Sequence, residues 1–461
     1  MINIEAFNTL LTNLFNLNED DISNITCSSA NKMMVLHVIL KDKKPSCPHC
    51  GFTAPKIKEY VEKKITHSAL TNQKCIIRYK CRRYKCPVCG RTYYEFNPFV
   101  FKTQKISILT VQNILRDLKN YNETFTSVAR RFHVSPTSVC SIFDSHVEIE
   151  RNHLSEIINF DEVYAFKSKH SKYVCVLLDF KKQIPIDILS SRKKEDLLNY
   201  FRLIPLEERK IVKYICSDMY DTYRDVAHKM FPNAQCVLDY FHLSQDFHRK
   251  MDKVRINTMK GYRDNKKSDE YYLLKKFNWL LFKKPNEEDK YGKLFDVERE
   301  RKYNYHFKSY LNYYDLRKKI LDINNELTQC YLLKLKLVDF YSNSTLKTAK
   351  ENLETLIREY IDSQIEEMIA FSNNLIEWKQ EIINSFTIVE FEYKVEADKG
   401  QVVICGKKVN NAIIENRNKI IKCIKNNANG YANWNRFRNR VMYVLDPSKA
   451  FKLEPIESKN E

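Results

Sequence analysis

The chain has 461 residues, enough for two to four domains that each bury a core. Its 77 lysines and arginines against 58 acids leave a formal charge of +19, which points to a polyanionic partner, nucleic acid first of all. No apolar run exceeds strand length, the N-terminus carries no secretory pattern, and 7 glycines without a Gly-x-x-x-x-Gly-Lys-Ser/Thr element argue against a P-loop ATPase.

Residues 1–100 are expected to form a zinc-binding β domain. They open with a helix-like segment, Ile4 to Leu17, and a strand-like run, Lys32 to Leu40. Two Cys-x-x-Cys-Gly knuckles follow, Cys47/Cys50 and Cys86/Cys89, with 35 residues between them. Each knuckle turns on its glycine and points backbone N–H groups at its sulfurs, which suits a closed, structural four-thiolate zinc site. Cys81 and His67 are alternative ligands, and in a reducing compartment the 14 cysteines favour metal ligation or burial over disulfides. Arg82 and Arg83, in the basic run beside the second knuckle, suit DNA phosphates; a solvated face explains them equally well.

Residues 101–150 read as helical, and Thr124 to His146 has the cadence of a helix-turn-helix. Thr126-Ser127 would cap its first helix, with Val128, Ala129 and Phe132 facing inward. Val134-Ser135 would make the turn, and Pro136 would stand early in the second helix, where its missing N–H is harmless. Val139, Ile142 and Phe143 would pack back. That arrangement presents Ser135, Thr137 and Ser138 to base edges, with Arg130 and Arg131 nearby. A purely structural helical hairpin is the competing account.

From residue 151 to 242 the texture changes. Ile157–Phe166, Lys172–Phe180 and Ile184–Ser191 read as a three-strand meander, followed by a helix, a strand ending at Asp218, a second helix and a strand, Ala234–Leu238. That is the element order of an RNase H-like α/β core, in which one carboxylate sits on the first strand and another just after the fourth. Asp161 and Asp218 fall at those two places, 57 residues apart. Residues 243–400 are charged, helix-patterned and rich in Tyr and Lys, and read as a helical insertion. Residues 401–446 bring back the core with a helix from Asn410 to Lys422, which places Asn411, Glu415 and Lys422 on one face; residues 447–461 are a tail. Two aspartates from strands and one glutamate from a helix make an oxygen-rich set suited to two hard divalent cations.

Several segments together resemble the ISL-three family of bacterial insertion-sequence transposases of the DDE class. They are the two knuckles, the helix-turn-helix, Phe160-Asp161-Glu162, the run Ser217 to Asp225, the run Phe231 to His242, Asn410 to Lys422, and Gly430 to Arg440. The similarity covers nearly the whole chain; Glu415-Asn416 departs from the family's usual Glu-Gly. It implies a multidomain α+β protein whose RNase H-like core is interrupted by the helical insertion. It implies Asp161, Asp218 and Glu415 as catalytic acids, with Asp239, His242 and Lys422 in support, although Asp239 is an alternative second acid.

The activity implied is cleavage at an element's terminal inverted repeats and strand transfer to target DNA, with Mg²⁺ or Mn²⁺ catalytic and Zn²⁺ structural. Double-stranded DNA would be the partner, a homodimer or larger assembly would hold both ends, and the protein would lie in the bacterial cytoplasm at the nucleoid, with no membrane role. Two further readings stand beside it: a metal-dependent nuclease without strand transfer, and a DNA-binding regulator with a degenerate catalytic domain.

Overall fold

Alternation of apolar and polar side chains builds the N-terminal sheet. Helix α1 (Ile4–Leu14) precedes β1 (Ile22–Ala30), β2 (Met33–Leu40), β3 (Lys56–Thr66), β4 (Lys74–Lys85) and β5 (Thr92–Tyr94) in a computed structural model that describes residues 4–456 apart from 31–32, 44, 69–72, 102–103, 168–170 and 395–401. The strand order is β1-β2-β4-β3, with β5 on β4. Cys75, Ile77, Tyr79 and Cys81 are buried at every second position of β4 and meet Phe15, Ile25 and Leu36 in one core. The first helix stops at Leu14, short of the expected Leu17, because Asn16 takes a left-handed φ of 49°. Strand β1 was not anticipated: its Ser- and Asn-rich residues carry little strand propensity and are extended by pairing with β2.

Three helices follow, α2 (Ile108–Asp117), α3 (Phe125–Arg131) and α4 (Pro136–His146). Each begins on a side-chain cap: Ser107, Thr124 and Ser135 accept from the backbone N–H three residues on. The cap of α3 is therefore Thr124 and not the expected Thr126-Ser127, with Ser127 completing a capping box from the third helical position. His133, at a φ of 53°, reverses the chain between α3 and α4. Val128, Ala129, Phe132, Val139, Ile142 and Phe143 are all buried, as their spacing predicts.

The chain divides into two compact units. The first comprises Met1–Arg151, Val163–Val174 and Arg417–Glu461; the second comprises Asn152–Glu162 and Cys175–Asn416. The second is built on β6 (Ile157–Val163), β7 (Val174–Asp179), β8 (Pro185–Leu189), α5 (Lys194–Arg202), α6 (Leu206–Lys210), β9 (Tyr214–Ser217), α7 (Asp221–Met230) and β10 (Gln235–Leu238). Its sheet order is β10-β9-β6-β7-β8. β9 runs parallel to both β6 and β10, whereas β7 and β8 are antiparallel. Phe160, Phe201, Tyr223 and Phe231 interlock beneath the sheet, with ring centroids 4.9–6.3 Å apart.

Beyond β10 come α8 (Tyr240–Lys260), α9 (Asp269–Lys276), two hairpins, β11 (Glu288–Asp289) with β12 (Gly292–Lys293) and β13 (Lys302–Asn304) with β14 (Ser309–Leu311), and then five helices. These are α10 (Tyr313–Leu321), α11 (Asn325–Asn343), α12 (Ala349–Asp362), α13 (Glu366–Glu377) and α14 (Lys379–Asn384). Leu243, Phe247, Met251, Leu327, Leu353, Tyr360 and Phe371 are among the buried residues of their common core. The segment is therefore mostly helical as expected, with hairpins where tyrosines and short polar turns interrupt the helical period. It ends in a third hairpin that helical patterning did not show, β15 (Ile388–Lys394) with β16 (Val402–Lys408). The glutamate helix, α15, runs Ala412–Asn427 and starts two residues later than expected; α16 (Trp434–Leu445) follows.

Candidate active site

Parallel pairing puts the three aspartates at one level. Ile157 pairs with Tyr214, and Tyr214 with Gln235; the same offsets hold through Asn159, Cys216 and Val237. Continuing each strand to its end sets Asp161, Asp218 and Asp239 side by side at the carboxyl edge of the sheet, where α/β folds place their ligands.

Glu415 joins them from α15 through two buried asparagines. The Asn159 side chain donates to the Asn411 Oδ1 (2.7 Å) and to the Asn410 carbonyl (2.8 Å). The Asn411 backbone N–H in turn donates to Asp239 Oδ1 (3.2 Å), and its side chain to the Phe160 carbonyl (3.4 Å). One helical turn on, Glu415 faces the same way. The ligand atoms of Asp239, His242 and Glu415 lie within 4.8 Å of one another. Among the described residues, Asp161 and Asp218 do not close to that distance with Glu415 as a trio. The structure thus draws Asp239 and His242 nearer to Glu415 than their supporting place in the sequence suggested.

The electrostatics are those of acids crowded away from water. Burial first, and then the charges of Asp218, Glu162 and Glu415, push Asp161 up to about 7 against the backbone N–H of Glu162. Burial pushes Asp218 up to about 6 against the opposing Arg192 guanidinium, and it raises Asp239. Asp218 Oδ1, Asp239 Oδ2 and His242 Nε2 are buried without a hydrogen-bond partner. Carboxylate oxygens with open lone pairs, in a field that disfavours their own charge, and an imidazole nitrogen beside them fit the needs of a divalent cation. Glu162 takes no open position: it is ion-paired with Arg192 and accepts from the Tyr223 hydroxyl at 3.3 Å.

Sequence reasoning passed over Asn159 and Arg192. The signal for Asn159 was a lone amide in the otherwise apolar run Ile157-Ile158-Asn159-Phe160, because a buried polar side chain needs a partner.

In the other unit, the Cys47, Cys50, Cys86 and Cys89 sulfurs all lie within 4.8 Å of one another. The Cys47–Cys89 and Cys50–Cys86 separations are 3.7 and 3.5 Å, near the edge of about 3.8 Å that four Zn–S bonds of about 2.3 Å would give. Gly51 and Gly90, at φ of 74° and 69°, close the two knuckles with matching backbone bonds. Cys81 and His67 stand apart from this cluster. Cys81 is buried in the sheet core, and His67 bonds the Phe15 carbonyl and the Ser107 hydroxyl, both at 2.9 Å.

The residues expected on DNA are variously placed. Arg82 is engaged by Glu95 and the Leu40 carbonyl, Arg83 by Glu59, and Arg131 by Asp117 and Glu123. Arg130 and Thr137 are exposed; Ser135 is spent on capping, its hydroxyl bonded to the backbone N–H of Ser138 (3.0 Å). Lys422 is exposed further along α15, in the first unit.

Carboxylates converge here from three parallel strands and a returning helix at the carboxyl edge of an α/β sheet, and comparison with known proteins names the family. Residues 158–441 match the ISL-three DDE family, described as "Transposase", and the chain belongs to it. It is also 21% identical over 242 residues to the transposase for insertion sequence element IS1001 of Bordetella parapertussis, an alignment that covers 51% of this chain and 58% of that protein. The match thus spans little more than half the length of that relative. Among the described residues, no helix is long and apolar enough to cross a membrane.

Proposed function

We propose that the chain is a DDE transposase that cuts DNA at the terminal inverted repeats of its element and joins the freed end to target DNA. The observation that carries this reading is the level set of Asp161, Asp218 and Asp239 with Glu415 locked over it by Asn159 and Asn411. The sheet order, with β8-β7-β6 on one side and β9-β10 on the other, supports an RNase H-like core with the helical segment as its insertion.

Asp161, Asp218 and Glu415 would hold Mg²⁺ or Mn²⁺, which supplies charge stabilisation at the phosphoryl group and lowers the pKa of an attacking water or 3′-hydroxyl. Asp239 positions Glu415 through the Asn411 N–H, and His242 offers its unpartnered ring nitrogen to the same cluster. The Arg192–Glu162 pair balances charge beside Asp218, where the guanidinium would stand close to a phosphate bound at the carboxylates. Below about pH 7 for Asp161 and about 6 for Asp218 the raised carboxyls carry protons, which cation binding in that range would release.

The four-cysteine cluster would take a structural Zn²⁺. The α3–α4 pair would act as a helix-turn-helix that reads the repeat, with Arg130, Thr137 and Lys422 meeting DNA, and two copies would hold the two ends in the bacterial cytoplasm. Cleavage of a labelled repeat-end duplex in Mg²⁺, abolished by Asp218→Ala, tests the reading. Strand-transfer products separate a transposase from a simple nuclease, and binding without any cleavage would favour a regulator.

A further inference from the structure

A cavity of about 670 Å³ opens beside Asp239 and Glu415 and runs away from the carboxylates toward α11. That size belongs to a binding pocket and not to a packing defect. Its walls are apolar and aromatic: Tyr240, Phe241, Val338, Tyr341 and Val409 line it. Phe241 is 49% exposed, an unusual expense for a large ring next to a buried acid cluster. The Tyr240 and Tyr341 rings are 4.0 Å apart, and Tyr341 stacks on Phe386 at 5.3 Å, which fixes the aromatic wall in place.

Besides the carboxylates of Asp239 and Glu415, the polar lining consists of Asn286, Asn410, Ser342, Ser385 and two cations. Lys284 and Lys408 line it, and among the described residues neither has an ion pair. Lys408 is steered by its bond to the Tyr341 carbonyl (3.1 Å) and by the Phe386 ring (4.5 Å).

Resting on the transposase reading above, we infer that this cavity receives one nucleotide of the DNA end, turned out of the duplex next to the phosphate that is cut. A duplex, whose grooves alone are about 6 and 12 Å wide, cannot enter a space of 670 Å³, but a single base with its sugar can. The cavity is continuous with Asp239 and Glu415, so its occupant is joined to the reacting strand. Aromatic walls give a base its stacking surface, the lysines match the flanking phosphates, and the Asn286 and Asn410 amides of the lining offer donors and acceptors to a base edge. Extrusion of this nucleotide registers the end against the carboxylates.

The test places 5-iodouracil at each terminal position of the repeat duplex in turn and irradiates the wild-type complex in EDTA, so that no chemistry is required. Crosslinking from one position only, mapped to Tyr240, Phe241 or Tyr341, is the expected result. Ser342, an exposed residue of the cavity wall on α11, supplies the second arm. Ser342→Trp fills the space, removes that crosslink and slows cleavage of the intact duplex on the order of tenfold or more. It recovers on a duplex that is abasic at the crosslinking position, where no base has to enter. A wild type that cuts the repeat end but gives no position-specific crosslink overturns the nucleotide pocket and leaves the transposase reading standing. Wild-type cleavage of the intact duplex by Ser342→Trp does the same. A protein that neither crosslinks nor cuts overturns both.

Discussion

Removing one charge from the acid cluster should stabilise the protein while abolishing its activity. Asp161 is 8% exposed, and its pKa rises from an ordinary 3.8 to about 7. A carboxyl whose folded pKa is raised favours the fold when protonated. Its contribution is fully present below 3.8 and is lost as the pH rises through about 7. At about 1.4 kcal/mol per pH unit, the charged form costs about 4 kcal/mol at pH 8. This is an upper bound, because the wild-type site relaxes and admits water around the charged form. Asp161→Asn keeps the shape and still accepts the Glu162 backbone N–H (2.8 Å). In EDTA at pH 8 the unfolding transition of the unit that carries β6–β10 should therefore rise by roughly 5–8 °C, at about 2 °C per kcal/mol. The gain should shrink toward zero by pH 4. Mg²⁺ should raise the wild-type transition and leave the variant nearly unmoved. Scanning calorimetry over that pH range reads all three effects. A variant less stable than wild type at pH 8, or a gain that does not vary with pH, would refute the account of the site as acids held away from water and crowded together.

Other consequences can be checked separately. Asn411→Ala removes the partner of Asn159 and the side-chain bond to Phe160; it should cost about 1–3 kcal/mol of stability and lower single-turnover cleavage at least about tenfold, since Glu415 loses its seat. Metal analysis should find one zinc per chain, lost in Cys86→Ser, and a chelator should melt the N-terminal sheet while the second unit's transition persists. Arg130→Ala should weaken binding to any duplex and reduce the slope of log affinity against log salt by about one, whereas Arg131→Ala, which breaks its pairs with Asp117 and Glu123, should act mainly on stability.

What could be read in the sequence was local chemistry with a fixed period. The cysteine knuckles, the Pro136 helix start and the apolar strand runs each state their conformation within a few residues, and the 57-residue interval from Asp161 to Asp218 is already the register of two parallel strands. The glutamate helix was legible from its apolar face, but what seats it was not. Asn159 and Asn411 are 252 positions apart, and their bond exists only once the insertion folds and returns the chain. The partners of Arg82, Arg83 and Arg131 lie only 8 to 24 positions away and were hidden for another reason. A basic run looks alike whether it faces phosphate or a carboxylate of its own fold, and only the tertiary pairing with Glu95, Glu59 and Glu123 separates the two.

The register that aligns three aspartates leaves two of them competing to be the second acid, and their hydrogen bonds distinguish them. One oxygen of Asp239 accepts the Asn411 N–H that holds the start of α15, so this carboxylate is already at work as an anchor. Asp218 has no such duty: each aspartate keeps one unpartnered oxygen, Asp218 Oδ1 and Asp239 Oδ2, but at Asp218 the local bonds from Ser217 and Tyr220 go to the backbone carbonyl and not to the carboxylate. An amide can replace an anchor because its oxygen still accepts, but it cannot replace an anionic ligand. Asp239→Asn should therefore retain cleavage within about tenfold of wild type, whereas Asp239→Ala, which frees the helix start, should lose far more. Asp218→Asn and Asp218→Ala should be equally inactive. Single-turnover rates for these four proteins decide the matter, and an Asp239→Asn as dead as Asp218→Asn would make Asp239 the second acid.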